Sequence, residues 1–201
     1  MTIGLVDYGL GNLGSVANMF RRVGAETARV STPSAVLDSD AILLPGIGAF
    51  DAGMSRLADA GLIDPLREFA ASGRPLLGIC LGMQLLLDSS EEGAAEGLGL
   101  IPGPSVRFDE SIGARVPHMG WSYAVPTRED SLVAGLDADA RFYFVHSYRV
   151  VPDDDTATLA VSRYGVPFTS MVRVGNVMGA QFHPEKSHAF GMTILENFAK
   201  L

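Results

Sequence analysis

The chain has a single cysteine, Cys80, in 201 residues. That excludes a disulfide within the chain and any cysteine-rich zinc site, and a free thiol fits a reducing compartment. Basic charge is also scarce. Fifteen Lys and Arg against 23 Asp and Glu leave a net charge of −8, whereas a phosphate-backbone binder needs a basic face. No apolar run approaches the roughly 18 residues of a membrane span, and nothing reads as a targeting segment. The opening TIGLVDY already reads as a core strand. The four histidines show no metal-ligand spacing on a helix. Linkers, repeats and low-complexity stretches are missing too. These absences leave a soluble, cytoplasmic protein of one domain, residues 1–201, large enough to bury a full core. Its 47% hydrophobic and 19% charged residues are the ordinary balance for such a domain.

What is present centres on the cysteine. The apolar run PLLGI leads into Cys80 and reads as a buried strand of a parallel sheet. LGMQLLLDSS after it reads as a helix. Gly78 and Gly82 flank Cys80 in a G-x-C-x-G pattern, the shape of the nucleophile elbow known with serine. So tight a turn leaves no room for Cβ atoms beside the nucleophile, and the N–H groups at the helix start favour an anion there. Taken alone, Cys80 reads equally as a small buried hydrophobe.

The first half alternates strands and helices, which predicts a parallel sheet covered on both faces. TIGLVDY is followed by Gly9, Gly11 and Gly14, a literal G-x-G-x-x-G before a helix carrying Leu13, Val16, Phe20 and Val23 at helical spacing and closed by Gly24. A dinucleotide site would want an acidic residue at the end of the next strand. AETARVS ends instead in Arg29, Val30 and Ser31, which leaves an NADP-type site as an alternative to a plain glycine-rich loop. Ala41 to Leu44 form a short buried strand. The Pro45-Gly46-Ile47-Gly48 loop after it reads either as a plain turn or as a source of N–H groups for developing negative charge. Asp51 opens a helical stretch. Asp64-Pro65 reads as the cap and first residue of the next helix, with Leu66, Phe69 and Ala70 on its apolar face and Gly73 at its end. From Leu98 on, the runs SVRF, ARFYFVHSYRV, TATLAVSRY, VPFTSMVRV and NVMGAQFH predict further, partly antiparallel strands of the same sheet. A last helix from about Ser187 turns Phe190, Ile194 and Phe198 to the core.

A second chemical feature closes NVMGAQFHPEKS. Pro184 holds His183 extended, and in an extended chain Glu185, two residues on, points the same way. The carboxylate can then accept from one imidazole nitrogen while the other faces outward, which is a base with its orienter. By itself this is also a surface H-P-E turn. His118 and His146 sit in apolar settings and read as hydrogen-bonded core histidines, and His188 starts the last helix.

GICLGMQLL, PGIGAF and QFHPEKS together resemble the class I glutamine amidotransferases, which use a Cys-His-Glu triad. VDYGLGNLGSV, LGLIPGPSVRF, VPHMGWS and FYFVHSY narrow the resemblance to the glutaminase subunits of imidazole glycerol phosphate synthases. It spans Ile3 to Phe198. Two departures from the pattern are Ser122, where asparagine is usual, and Gly14, where a basic residue is usual. The resemblance implies an open, mostly parallel α/β sheet extended by antiparallel strands, a glutaminase needing no cofactor and no metal, and a catalytic set of Cys80, His183 and Glu185. It further implies oxyanion donors from Leu81, Ile47 and Gly48, and glutamine contacts from Gly46, Gln84, His146, Ser147 and Tyr148. The implied partner is a (β/α)8-barrel cyclase in a heterodimer serving histidine biosynthesis. Asn12, Trp121 and Lys186 are candidates for the face that meets it. A sibling glutaminase feeding another synthase, a γ-glutamyl peptidase, and a non-catalytic regulatory or dinucleotide-binding module remain open alternatives.

Overall fold

The computed structural model describes residues 1–109, 111, 113 and 115–201. The alternating pattern of the first half becomes β1 (Thr2–Val6), α1 (Leu13–Arg22), β2 (Glu26–Val30), α2 (Pro33–Leu37), β3 (Ala41–Leu44), α3 (Phe50–Asp59), α4 (Ile63–Ala71), β4 (Leu76–Ile79) and α5 (Leu81–Leu85). The second half is mostly strand: β5 (Ser89–Ser90), β6 (Pro104–Arg107), β7 (His118–Tyr123), β8 (Val125–Pro126), β9 (Arg141–His146), β10 (Tyr148–Val150), β11 (Thr158–Tyr164), β12 (Val166–Val174) and β13 (Val177–Ala180). The helix α6 (His188–Phe198) follows. The main sheet runs β2-β1-β3-β4-β13-β12-β10-β6-β5, with β11 paired to β12 and β8. Pairing is parallel from β2 to β13 and antiparallel at β13–β12, β12–β10 and β10–β6. This is the predicted mixed α/β sheet.

Strand periodicity divides the core between the two faces of that sheet. Ile3 and Leu5 of β1, Ala41 and Leu43 of β3, Leu77 and Ile79 of β4, and Met178 and Ala180 of β13 join one cluster with Phe20 of α1 and Phe198 of α6. Val6, Ile42, Leu44, Leu76 and Val177 point the other way, against Phe50, Leu57, Leu66 and Phe69 of α3 and α4. Because the central strands are parallel, their carboxyl ends share one edge. The loops after β1, β3, β4 and β13 therefore emerge side by side, where α/β sheets place their chemistry.

Four elements differ from the sequence expectation. The helix after Cys80 stops at Leu85 rather than continuing through LGMQLLLDSS. The carbonyls of Leu85, Leu86 and Leu87 instead accept N–H groups of the 98–101 segment, and Ser89–Ser90 pairs as a strand with β6. Helix α4 starts at Ile63, with buried Leu62 as its cap residue. Asp64 and Pro65 thus lie inside the first turn, where proline costs no hydrogen bond. The short helix α2, capped by Thr32 Oγ1, has too few apolar positions to show a period. Finally, ARFYFVHSYRV does not form one strand of the main sheet. It breaks at Ser147, so that β9 pairs with β7 in a separate two-stranded ribbon while β10 joins the large sheet.

The two glycines beside Cys80 are required by close approach. A Cβ on Gly82 would run into the Leu44 carbonyl oxygen, and one on Gly78 would lie 2.6 Å from the Gly82 oxygen. Both obstacles are backbone. Gly82→Ala should therefore destabilise the fold by about 3 kcal/mol, the upper end for overpacking, read as a lowered urea midpoint. An unchanged midpoint would mean that the elbow relaxes freely.

Candidate active site

Cys80 sits at the carboxyl end of β4 with φ 55° and ψ −111°, one of two non-glycine residues with positive φ among those described. This is the strained turn expected of an elbow. The Cys80 N–H is tied to the Ala180 carbonyl of β13 at 2.8 Å. The thiol is buried, and it lines a cavity of about 350 Å³ with Ile47, Gly48, Leu81, Gln84, Glu92, Pro117, Val145, His146, Ser147, Tyr148 and His183. Two wider grooves of about 680 and 750 Å³ lie around the β8–β11 edge and are lined by neither Cys80 nor any histidine.

His183 faces the same cavity from the end of β13. Its Nδ1 is 2.9 Å from Glu185 Oε1, and both side chains are buried. The expected pair is formed, but by a different route. Glu185 lies in a 3₁₀ turn, Pro184–Lys186, not in an extended segment. Pro184 does keep His183 extended, with φ −98° and ψ 99°, and the turn then folds the carboxylate back beneath the ring. The ribbon clamps this backbone. The His183 N–H donates to the Tyr143 carbonyl at 2.9 Å, the Tyr143 N–H donates to Ser187 Oγ at 3.0 Å, and that hydroxyl donates to the His183 carbonyl at 2.6 Å.

Burial opposes a charged imidazole, but the nearby Cys80 thiol and the Glu185 carboxylate outweigh it and push the His183 pKa up from 6.5 to about 9. Among the described residues Nε2 has no hydrogen-bond partner, yet the thiol is close enough to act on the ring. Glu185 Oε2 is buried without a partner as well, which leaves its charge to be answered by the imidazolium. Protonated His183 therefore favours the folded state. That contribution is complete below about 6.5 and is lost as the pH rises through about 9. Relative to His183→Ala, the wild-type chain should lose stability across that window in urea titrations. A constant difference would remove the charged pair.

The 45–48 loop rises beside the elbow. Tyr8, from the loop after β1, donates its hydroxyl to the Pro45 carbonyl at 2.7 Å. Burial, reinforced by the Cys80 charge, pushes the Tyr8 hydroxyl well above its usual range, so it stays a donor. Gly46 packs against this hydroxyl and Gly82, Gly48 has φ +102°, and Ile47 is half exposed. Gln84 is buried, not on the helix surface, and its Nε2 donates to the Tyr148 carbonyl and to Gln181 Oε1.

Sequence reasoning missed Glu92, Gln181 and Tyr8. Glu92 lines the cavity and accepts the Phe50 N–H at 2.8 Å at the start of α3. Of the partner-face candidates, Trp121 is 47% exposed and stacks on His188 at 5.5 Å, while Lys186 lies over the Tyr143 ring at 5.5 Å. Trp121 and Tyr143 meet edge to face, so these residues share one surface. Asn12 accepts the Ser15 N–H as the cap of α1. His118 and His146 are buried and hydrogen-bonded to each other, as expected of core histidines. The G-x-G-x-x-G stretch is not built as a dinucleotide fingerprint. The third glycine of such a site lets helix and strand touch, whereas a Cβ on Gly14 would meet nothing within 4 Å. Arg29 is 3.8 Å from Asp7, an acidic neighbour that disfavours a phosphate.

A model of the class-I glutamine amidotransferases matches residues 4–201. "Imidazole glycerol phosphate synthase subunit HisH" of Sulfurimonas denitrificans is 50% identical over 202 residues, covering 98% of this chain and 97% of that protein. The protein named "Imidazole glycerol phosphate synthase subunit HisH 2" in Pseudomonas aeruginosa is 47% identical, covering 98% of each. Among solved structures, PurLQS of Thermotoga maritima superposes with a TM-score of 0.76 at 20% identity, covering 99% of this chain and 97% of its own. The glutaminase domain of Trypanosoma brucei CTPS with bound acivicin gives 0.66 at 17% identity, covering 100% and 94%.

Proposed function

The chain belongs to the class-I glutamine amidotransferase family, and from that membership we propose that it is the glutaminase subunit of imidazole glycerol phosphate synthase, acting through Cys80, His183 and Glu185. The observation that carries the chemistry is the single cavity onto which a strained, buried cysteine and a carboxylate-bound histidine both open. Relatives at 50 and 47% identity over nearly their whole length carry the name of this subunit.

In this reading the proton rests on His183, and the sulfur of Cys80 attacks the side-chain amide carbon of glutamine as the thiolate. The tetrahedral oxyanion is met by the N–H of Leu81, next after the nucleophile, and by an N–H of the Gly46-Ile47-Gly48 loop. His183 gives the proton to the departing nitrogen. Ammonia leaves, and a γ-glutamyl thioester remains. Water then attacks the thioester carbonyl as His183 takes its proton. The second tetrahedral species collapses, glutamate is released, and the sulfur departs as the thiolate while His183 keeps the proton taken from water. Glu185 fixes the ring so that Nε2 serves both half-reactions. Gln84 has both N–H bonds engaged, so it offers its oxygen to the substrate. Among the described residues Glu92 is the one carboxylate lining the cavity, and it suits the substrate's α-ammonium. His146, Ser147 and Tyr148 form the opposite wall.

The ammonia passes to a (β/α)8-barrel cyclase bound as a heterodimer, in the cytoplasm, for the lyase reaction of histidine biosynthesis. The exposed side of the β7–β9 ribbon supports such a docking face. Met119, Trp121 and Tyr123 alternate outward there, and Lys186 adjoins them. The loop offers a control on wasteful hydrolysis, since a glycine-flanked peptide unit turns at small cost between presenting a carbonyl and an N–H. Loss of one oxyanion donor costs on the order of a hundredfold or more in rate. The test is glutaminase rate with and without the cyclase and its nucleotide ligand, for wild type and Lys186→Ala. Activation by the partner, weakened in Lys186→Ala, is expected. A fast rate in the isolated chain that the cyclase leaves unchanged would overturn the coupling.

A further inference from the structure

The sulfur of Cys80 has a neighbour that the triad does not use. Gln181 is fully buried between β13 and His183, and its Nε2 lies 3.8 Å from Cys80 Sγ. We propose that Gln181 is a positioning residue for the nucleophile: its carboxamide donates an N–H to the sulfur, and the direction of that carboxamide is imposed by the Tyr148 carbonyl of β10 through Gln84. The proposal rests on Cys80 being the nucleophile.

A carboxamide has the same shape either way round, so its direction comes from its partners. The Tyr148 carbonyl can only accept. Gln84 lies 3.3 Å from it and must present its NH₂ there, and the second N–H of that group reaches Gln181 Oε1 at 3.0 Å. The oxygen of Gln181 is thereby committed, and the NH₂ is the end left for the sulfur. The same carbonyl orients the ribbon. His146 Nδ1, 2.7 Å away, must donate to it. His146 Nε2 then accepts from His118 Nδ1 at 3.2 Å, and His118 Nε2 accepts from Ser122 Oγ at 3.0 Å. This run of donors requires both imidazoles to be neutral. Burial agrees with that, pushing His146 down to about 3 and His118 to about 4. Ser122, the departure from the usual asparagine, is the outer end of the run.

The positive end of an N–H dipole thus faces the atom that is negative just before attack, and the bond holds that atom at the cavity mouth. Hydrogen bonds to a charged partner are roughly twice as strong as neutral ones. The Gln181 N–H matters most while the sulfur is charged and least once the thioester has formed.

Cys80 is the one cysteine, so alkylation by iodoacetamide reports its reactivity without any glutamine chemistry. Gln181→Met keeps length and burial but has no N–H. Gln181→Glu keeps the acceptor for Gln84 and turns an oxygen to the sulfur. Alkylation should slow about threefold to tenfold in Gln181→Met, the loss of one hydrogen bond, and further in Gln181→Glu. Glutaminase kcat in the assembled synthase should fall in the same order with KM held within about threefold, because substrate binding does not use this bond. A side chain that merely fills space would give wild-type alkylation in both variants, and that result, or Gln181→Met slower than Gln181→Glu, overturns the proposal. If either variant fails to fold, the wild-type amide answers directly. The chain has two glutamines, Gln84 and Gln181, so ¹⁵N in the glutamine side chains gives two carboxamide signals. Cys80→Ala should move the Gln181 signal, and two unmoved signals overturn the proposal. A wild-type synthase, assembled with the cyclase, that hydrolyses no glutamine would refute the glutaminase reading while the alkylation order still decided the role of Gln181.

Discussion

Cys80→Ser should abolish glutamine hydrolysis, a loss on the order of a thousandfold or more, with the fold unchanged. The hydroxyl fits the space of the thiol at the buried elbow. Serine, however, is the poorer nucleophile, and His183 is arranged to hold a proton, not to pull one from an alcohol. The variant should still assemble with the proposed cyclase partner, and added ammonium salt should restore product formation, because in this reading the cyclase takes only ammonia from this chain. Glutaminase and ammonia-dependent rates measured on the same preparation separate the two. Normal glutamine turnover in Cys80→Ser would remove the covalent mechanism.

His183→Ala should be nearly as damaging, on the order of 10⁴-fold, since in the proposed mechanism one ring moves the proton in both half-reactions. Glu185→Gln should retain measurable activity, with a loss about ten to a hundred times smaller than that of His183→Ala. In the proposed mechanism the carboxylate acts on the ring and not on the substrate. It holds Nδ1 at 2.9 Å and supports the charge on the ring. Glutamine at Glu185 can still hold the ring, but it removes that charge. The pH profile should register the change, as the falling limb set by His183 near 9 moves to lower pH. A Glu185→Gln enzyme with wild-type rate and profile would make Glu185 a purely structural turn.

The parts of the site legible in the sequence are those whose geometry is local. Gly78-Ile79-Cys80-Leu81-Gly82 states its own turn, because only glycine tolerates the Leu44 and Gly82 backbone at that distance. His183-Pro184-Glu185 likewise contains its own constraint, although the 3₁₀ turn that completes it is not visible from i, i+2 reasoning. The parts that stayed hidden depend on partners remote in sequence. Gln181 meets Cys80 and Gln84 across about a hundred positions. Tyr8 reaches Pro45, and Glu92 reaches Phe50, only after β1, β3 and β4 have aligned their carboxyl ends. Element limits failed for the same reason. Helix α5 ends where the 98–101 segment claims its carbonyls, and β9 pairs outside the main sheet with β7, a segment about twenty residues earlier in the chain. The signal that could have found Gln181 is simple: it is one of the chain's two glutamines and, like Gln84, is set in an apolar run close to a residue of the proposed triad.

The central claim is that Cys80 carries the glutamyl group during turnover. Rapid acid quench of the synthase with isotopically labelled glutamine, followed by mass spectrometry of the peptide containing Cys80, tests it most directly. The account predicts a labelled γ-glutamyl adduct on Cys80 that forms within one turnover and disappears when unlabelled glutamine is added. Steady release of glutamate with Cys80 unmodified throughout would contradict it.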